Sequence, residues 1–173
     1  MHVLFVCTGN ICRSPSAERL ALVYNLKNPI PGFVSSSVGT HALVGSAMHP
    51  EAVTALERLG GDPSNFVARR VSEKLVSNVD LVLTMTKQHR DDFLEVAPRL
   101  LHRTFTLSEA SQLCTQFEPE KLTDLRRLRP LQMADDYADI EDPIGQDMQF
   151  FERTAMQIAK LLPPVLELCR RST

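Results

Sequence analysis

Apolar positions in this chain come in two rhythms. Short apolar runs occupy residues 2–6 (HVLFV) and 79–85 (VDLVLTM), with briefer ones at 33–38 and 104–107. Runs of that length suit strands covered on both faces. Between them the spacing turns helical. Ala52, Ala55, Leu56 and Leu59 recur at three- and four-residue intervals, and Gly60-Gly61 ends that stretch. Ser14-Pro15 predicts an N-cap followed by proline at the first helical position, opening a helix to about Lys27. Another helix is predicted over 87–97, stopping at Pro98. Residues 108–136 are less regular, with Leu122, Leu125 and Leu128 marking one short amphipathic helix. The pattern over 147–162 is strongly helical, and Pro163-Pro164 should kink or break it before 165–169.

Strands that alternate with helices predict an α/β fold: a three-layer open sheet of four parallel strands with helices on both faces. In such sheets ligands bind beyond the carboxyl ends of the strands. The loop after the first strand lies at such an end. No internal repeat or low-complexity tract divides the chain, so residues 1–173 read as a single domain.

Composition adds exclusions. A formal net charge of −2 without any block of like charge argues against nucleic acid or a membrane surface as the main partner. Arg126, Arg127 and Arg129 read as a solvated helix face. No apolar stretch reaches the roughly 18–20 residues of a membrane span, and Arg13 and Glu18 interrupt any signal-peptide core. The four cysteines form no C-x-x-C pair, as expected of a reduced, cytoplasmic protein.

The candidate chemistry sits in CTGNICRSPSAER, residues 7–19. Five residues separate Cys7 from Arg13, and no acidic side chain appears before Glu18. A curl here lets the amides of Thr8, Gly9, Asn10, Ile11, Cys12 and Arg13 converge as an anion nest, with the positive end of the helix behind Ser14 aimed at the same point. Gly9 is expected to supply the positive φ of the curl. Arg13 offers a planar pair of donors suited to a phosphate. Cys7 at the base of that cup sits in a field that favours thiolate, poised for in-line attack on phosphorus. Ser14 is placed to hydrogen-bond the sulfur. Neither G-x-x-x-x-G-K-[ST] nor G-x-G-x-x-G occurs, nor any zinc spacing.

CTGNICRSP near the start resembles the low-molecular-weight protein tyrosine phosphatases. The likeness continues through Ser37-Val38-Gly39-Thr40, through residues 67–72 (VARRVS), through LVLTMTKQHRDDF and into Asp142-Pro143. ALVG at 42–45 resembles the bacterial branch paired with tyrosine kinases of capsule or exopolysaccharide synthesis. The resemblance implies a metal- and cofactor-free hydrolase acting on tyrosine-phosphorylated protein through a cysteinyl-phosphate, and binding phosphate or other oxyanions. Cys7 would be the nucleophile, Arg13 the phosphate clamp, and Asp142 the acid and later the base. Asn10, Ser14 and Ser37 would support the loop, and Cys12 would trap an oxidised nucleophile as a disulfide. Sequence alone does not choose Asp142 among Asp135, Asp136, Asp139, Glu141 and Asp147; the Asp-Pro pair ahead of the last helix singles it out.

The chain departs from the pattern at three positions. Ile144 follows Asp-Pro where many relatives carry an aromatic residue, Leu43 replaces Trp or Tyr, and Phe66 aligns with a frequent histidine. The leaving-group wall formed by Leu43 and Ile144 is therefore expected to be aliphatic. Alternatives on the same fold are an arsenate reductase, a protein arginine phosphatase and a phosphate-binding module without catalysis. Residues 81–92 contain no cysteine for a reductase relay, and Ile11 stands where arginine-specific relatives tend to have threonine.

Overall fold

Strands β1 (His2–Cys7), β2 (Val34–Gly39), β3 (Leu81–Thr84) and β4 (Thr104–Thr106) form one sheet in the order β2-β1-β3-β4, all parallel. The computed structural model describes residues 1–132 and 137–173, so Asp135 and Asp136 lie outside the described residues. In β1, Val3, Leu4, Phe5 and Val6 are each at most 1% exposed, because helices cover both faces. Val3 and Phe5 join Leu81, Leu83 and Phe105 under α1 (Arg13–Lys27), α2 (Pro50–Arg58), α4 (Leu107–Phe117), α5 (Leu125–Leu128) and α6 (Met148–Arg171). Leu4 and Val6 face the other way, onto Val82 and onto Phe93 of α3 (Lys87–Val96). The three-layer reading stands. From β1 the chain moves outward to β2 and returns across it to β3, so connections diverge at the carboxyl end of β1. That is where a crevice opens.

Four local expectations change. Helix α1 begins at Arg13, its N-cap is Cys12 without a side-chain cap, and Ser14 lies inside the first turn. The Ser14 hydroxyl is occupied elsewhere, as described below. Secondly, β4 stops at Thr106 and Leu107 starts α4, a helix absent from the sequence reading. Its start is a capping box: Thr106 Oγ1 accepts from the Glu109 amide at 3.1 Å, and Glu109 Oε2 accepts from the Thr106 amide at 3.1 Å. Thirdly, the leucine-marked helix is a 3₁₀ turn at Leu122–Asp124, α5, and a second 3₁₀ turn at Arg129–Leu131.

Fourthly, α6 passes unbroken through Pro163-Pro164. Each proline removes one amide donor, which deprives the carbonyls four residues back. Pro163 and Lys160 are exposed, so that side of the helix faces water, which can satisfy carbonyls there. On the inner side Phe151, Ala155, Ile158, Leu162, Val165, Leu166 and Cys169 continue one buried stripe across the prolines. Packing outweighs the local break.

Candidate active site

Between the end of β1 at Cys7 and the start of α1 at Arg13 the chain closes a loop whose carbonyls are held from outside. The amides of Thr40, His41, Leu43 and His49 donate to the carbonyls of Cys7, Thr8, Gly9 and Ile11 at 2.9–3.0 Å. With those carbonyls turned toward the 40–49 segment, the amide edge of the loop is left for the opposite side. Close approach of the two segments depends on Gly39, where a Cβ would stand 2.3 Å from the Thr8 carbonyl oxygen. The left-handed turn falls on Asn10, at φ +55°, and not on Gly9. Asparagine tolerates that conformation, and here its side chain is used as well.

Asn10 is fully buried and orients a hydrogen-bond chain. The Arg69 backbone amide donates to Asn10 Oδ1 at 2.8 Å, which leaves Nδ2 as the donor edge. Nδ2 donates to Ser14 Oγ at 2.9 Å and to Ser37 Oγ at 2.8 Å. Ser37 in turn donates to Glu18 Oε2 at 2.6 Å. Because Asn10 fills an acceptor site of Ser14, the Ser14 proton is free for Cys7 Sγ, 3.0 Å away, in preference to the Val38 carbonyl at 3.5 Å. The chain therefore ends in a donor aimed at sulfur.

Arg13 is 5% exposed. Its guanidinium donates to the Ile140 carbonyl at 2.9 Å and to Asp142 Oδ2 at 2.5 Å. The segment carrying Asp142 is tied to the end of β3 by the Ile140 amide donating to the Met85 carbonyl at 2.9 Å. The neighbouring acids are separated by what they hold. Asp139 accepts from the Lys87 amide at the start of α3, Asp147 caps α6 through the Phe150 amide, and Glu141 is exposed. Among the described acids only Asp142 meets Arg13.

The profile described as "Low molecular weight phosphotyrosine protein phosphatase" matches residues 2–117, which contain the whole loop and all four strands. The chain belongs to that family. It is 35% identical to the low molecular weight protein-tyrosine-phosphatase Wzb of Escherichia coli (strain K12) over 118 residues, 68% of this chain and 77% of the relative. Ptp of Acinetobacter johnsonii, another low molecular weight protein-tyrosine-phosphatase, is 27% identical over 91% of this chain and 89% of its own. Among solved structures, the low molecular weight protein tyrosine phosphatase from T. tengcongensis superposes with a TM-score of 0.78 at 28% identity, covering 96% of this chain and 98% of that one. YwlE arginine phosphatase, in a mutant with a phosphorylated active-site serine, also gives 0.78 at 27% identity over 96% and 94%. The chain is thus a protein-tyrosine phosphatase by family. Asp142 lies beyond the range that the profile matches.

Within the phosphatase the remaining expected positions fall as follows. Leu43 and Ile144 are exposed, at 55% and 46%. The Leu43 amide binds the loop at Gly9, and the Ile144 amide donates to Asp142 Oδ1 at 3.2 Å. Cys12 is buried, and its thiol is pushed up to about 12 by burial and by the negative charge of Cys7 and Asp142. All four cysteines are free. Cys114 and Cys169 are buried on α4 and α6, each thiol pushed up to about 12 by burial.

Two partners were not legible beforehand. Glu18 is buried and its carboxyl is raised by burial, against the opposing Ser37 hydrogen bond. His89, on α3 and 5% exposed, holds Thr8 Oγ1 at 2.7 Å through Nε2. A roomier cleft of about 710 Å³ opens at the other end of the sheet, beside Met1, Asp80, Arg103 and Arg126. It contains neither Cys7 nor Asp142. Among the described residues no group of three or more His, Cys, Asp or Glu could hold a metal ion, and no helix is long and apolar enough to cross a membrane.

Proposed function

We propose that the whole chain acts as one phosphatase domain in which Cys7 attacks the phosphorus of protein-bound phosphotyrosine. The Cys7 S–P bond forms as the phosphorus–phenol oxygen bond breaks, and Asp142 delivers a proton to the departing phenolate. Arg13 and the loop amides hold the three equatorial oxygens. Ser14, oriented by Asn10, donates to the sulfur and makes it a better leaving group in the second step. Asp142 then takes a proton from water, the water oxygen bonds phosphorus, and the S–P bond breaks to release phosphate and restore the thiolate. The observation that carries this reading is the 2.5 Å contact between Arg13 and Asp142. It brings an acid to the clamp of the loop that starts at Cys7.

A bacterial tyrosine kinase of polysaccharide synthesis is the substrate protein we infer, from the likeness at residues 42–45 and from the Wzb relatives. A second reading, hydrolysis of phosphoarginine, is favoured by the likeness to YwlE arginine phosphatase. Ile11 supports tyrosine instead. The test is turnover of p-nitrophenyl phosphate, a phosphotyrosine peptide and a phosphoarginine peptide, with and without chelator. Preference for the phosphotyrosine peptide, undiminished by chelator and lost in Cys7→Ser, is expected. Preference for phosphoarginine would reverse the assignment. Residual turnover by Cys7→Ser would remove Cys7 from the chemistry.

A further inference from the structure

The two limbs of the phosphate loop are fixed by different means. Asn10 and Ser14 lock the limb that enters α1 from beneath. Beyond Cys7, the limb that leaves β1 has one side-chain tie among the described residues, from Thr8 Oγ1 to His89 Nε2 at 2.7 Å. His89 itself is set by α3, whose N-cap Thr86 accepts from the His89 amide at 3.1 Å. Its other ring nitrogen, Nδ1, is buried and has no hydrogen-bond partner among the described residues.

That unpartnered atom decides the tautomer. A proton on Nδ1 would bury an orphan donor, which proteins tolerate less well than an unused acceptor. The proton therefore sits on Nε2 and is donated to Thr8. Since Thr8 Oγ1 accepts this bond, its own proton is free, and Thr8 is exposed at the mouth of the cup. We propose that His89 is a positioning residue of the phosphate loop: it holds the Thr8 limb from α3 and turns the Thr8 hydroxyl proton outward, toward an oxygen of the bound phosphoryl group. This rests on the phosphatase reading. The ring suits the task because it stays uncharged. Burial and then the nearby Arg13 charge push its pKa down to about 4, against the pull of Asp92, Asp142 and Asp139. It thus adds no second cation to compete with Arg13 for the anion.

The experiment is a double-mutant cycle read on inhibition by inorganic phosphate and on KM and kcat for p-nitrophenyl phosphate. His89→Leu and Thr8→Val should each raise the phosphate inhibition constant and KM about 3- to 10-fold, the scale of one hydrogen bond. The double variant should be no worse than either single one. His89→Gln, which keeps an amide donor where Nε2 stood, and Thr8→Ser, which keeps the hydroxyl, should stay within about twofold of wild type. Fully additive effects, an unmoved phosphate constant, or His89→Gln as damaged as His89→Leu would overturn the proposal. Should His89→Leu fail to fold, the exposed Thr8 pair of variants decides alone: Thr8→Val must lose affinity and Thr8→Ser must keep it. A wild type that turns over substrate with an additive cycle removes only this inference. A wild type with neither turnover nor phosphate inhibition removes the phosphatase reading as well.

Discussion

Arg13 and Asp142, 129 residues apart in sequence, meet at 2.5 Å with one side chain buried and the other half exposed. The exposed partner is free to reach a leaving group while the buried one stays fixed by the Ile140 carbonyl. Asp142→Asn should therefore lower single-turnover release of phenol from phosphotyrosine by about 10²–10⁴-fold, the usual worth of a positioned general acid. The loss should shrink for p-nitrophenyl phosphate, whose leaving group needs little protonation. Asp139→Asn and Asp147→Asn, which touch helix starts, are controls. If a control shows the leaving-group dependence and Asp142→Asn does not, the acid is that residue.

Asn10 joins three partners, so its removal should cost more than that of any neighbour in the chain. Asn10→Ala leaves the Arg69 amide without its acceptor, frees Ser14 to rotate, and forces alanine into a positive φ. At about 1–3 kcal/mol for an orphaned buried group, kcat should fall about 10- to 100-fold, and alkylation of Cys7 by iodoacetamide at pH 7 should slow. Ser37→Ala, which removes the link to Glu18 and one acceptor of Asn10 Nδ2 but leaves the Asn10–Ser14 bond, should do less. Equal losses in the two variants would show that the chain does not act through Ser14.

Under mild peroxide, Cys7 should oxidise first to a sulfenic acid, and the Cys12 sulfur should then displace water from it to form a disulfide. Cys12 is held as a neutral thiol by burial and nearby negative charge, so closure should quicken as the pH rises. Peptide mapping after limited oxidation should find the linked 7–12 peptide, reversed by dithiothreitol. Sulfonic acid at Cys7 with no linked peptide would count against it.

His89 makes acid stability measurable. Its folded pKa lies near 4, below the ordinary 6.5, because of burial and then Arg13. The unfolded chain therefore binds this proton first as the pH falls. The contribution is present above about 6.5, drains away between 6.5 and 4, and is gone below that. The full effect is about 3 kcal/mol. The decline of Tm over that window should be visibly shallower in His89→Gln than in wild type. Parallel curves would place the titration elsewhere.

Much of the cup was legible because the loop is local. Cys7, Asn10, Arg13 and Ser14 are close in sequence, and a strand before them with a helix after them leaves little freedom. What was not legible depended on contacts. Asp142 stood among several acids until Arg13 and the two helix starts divided them. Which residue carries the left-handed turn required the backbone itself, since glycine and asparagine both tolerate it. Helix α4 was signalled by Thr106-Leu107-Ser108-Glu109, yet the apolar residues of β4 run straight into it and hide the boundary. Pro163 and Pro164 argued for a break, and only the buried stripe on the far side of α6 could overrule them. His89 reads as an ordinary surface histidine until α3 is seen to press it against Thr8.

Arg13 and Asp142 are far apart in sequence, and this sets an order of events during synthesis. Cys7 and Arg13 leave the ribosome before Asp142 and α6, which packs against α1 and follows more than a hundred residues later. At typical elongation rates of about 5–20 residues per second, the nascent chain spends roughly 7–27 seconds with Cys7 made but Asp142 not yet synthesised. During that interval the apolar side of α1 has no α6 to cover it. With Asp142 as the proposed acid, activity would switch on late, when the closing helix docks, and a product truncated before it should carry the signature loop without turnover.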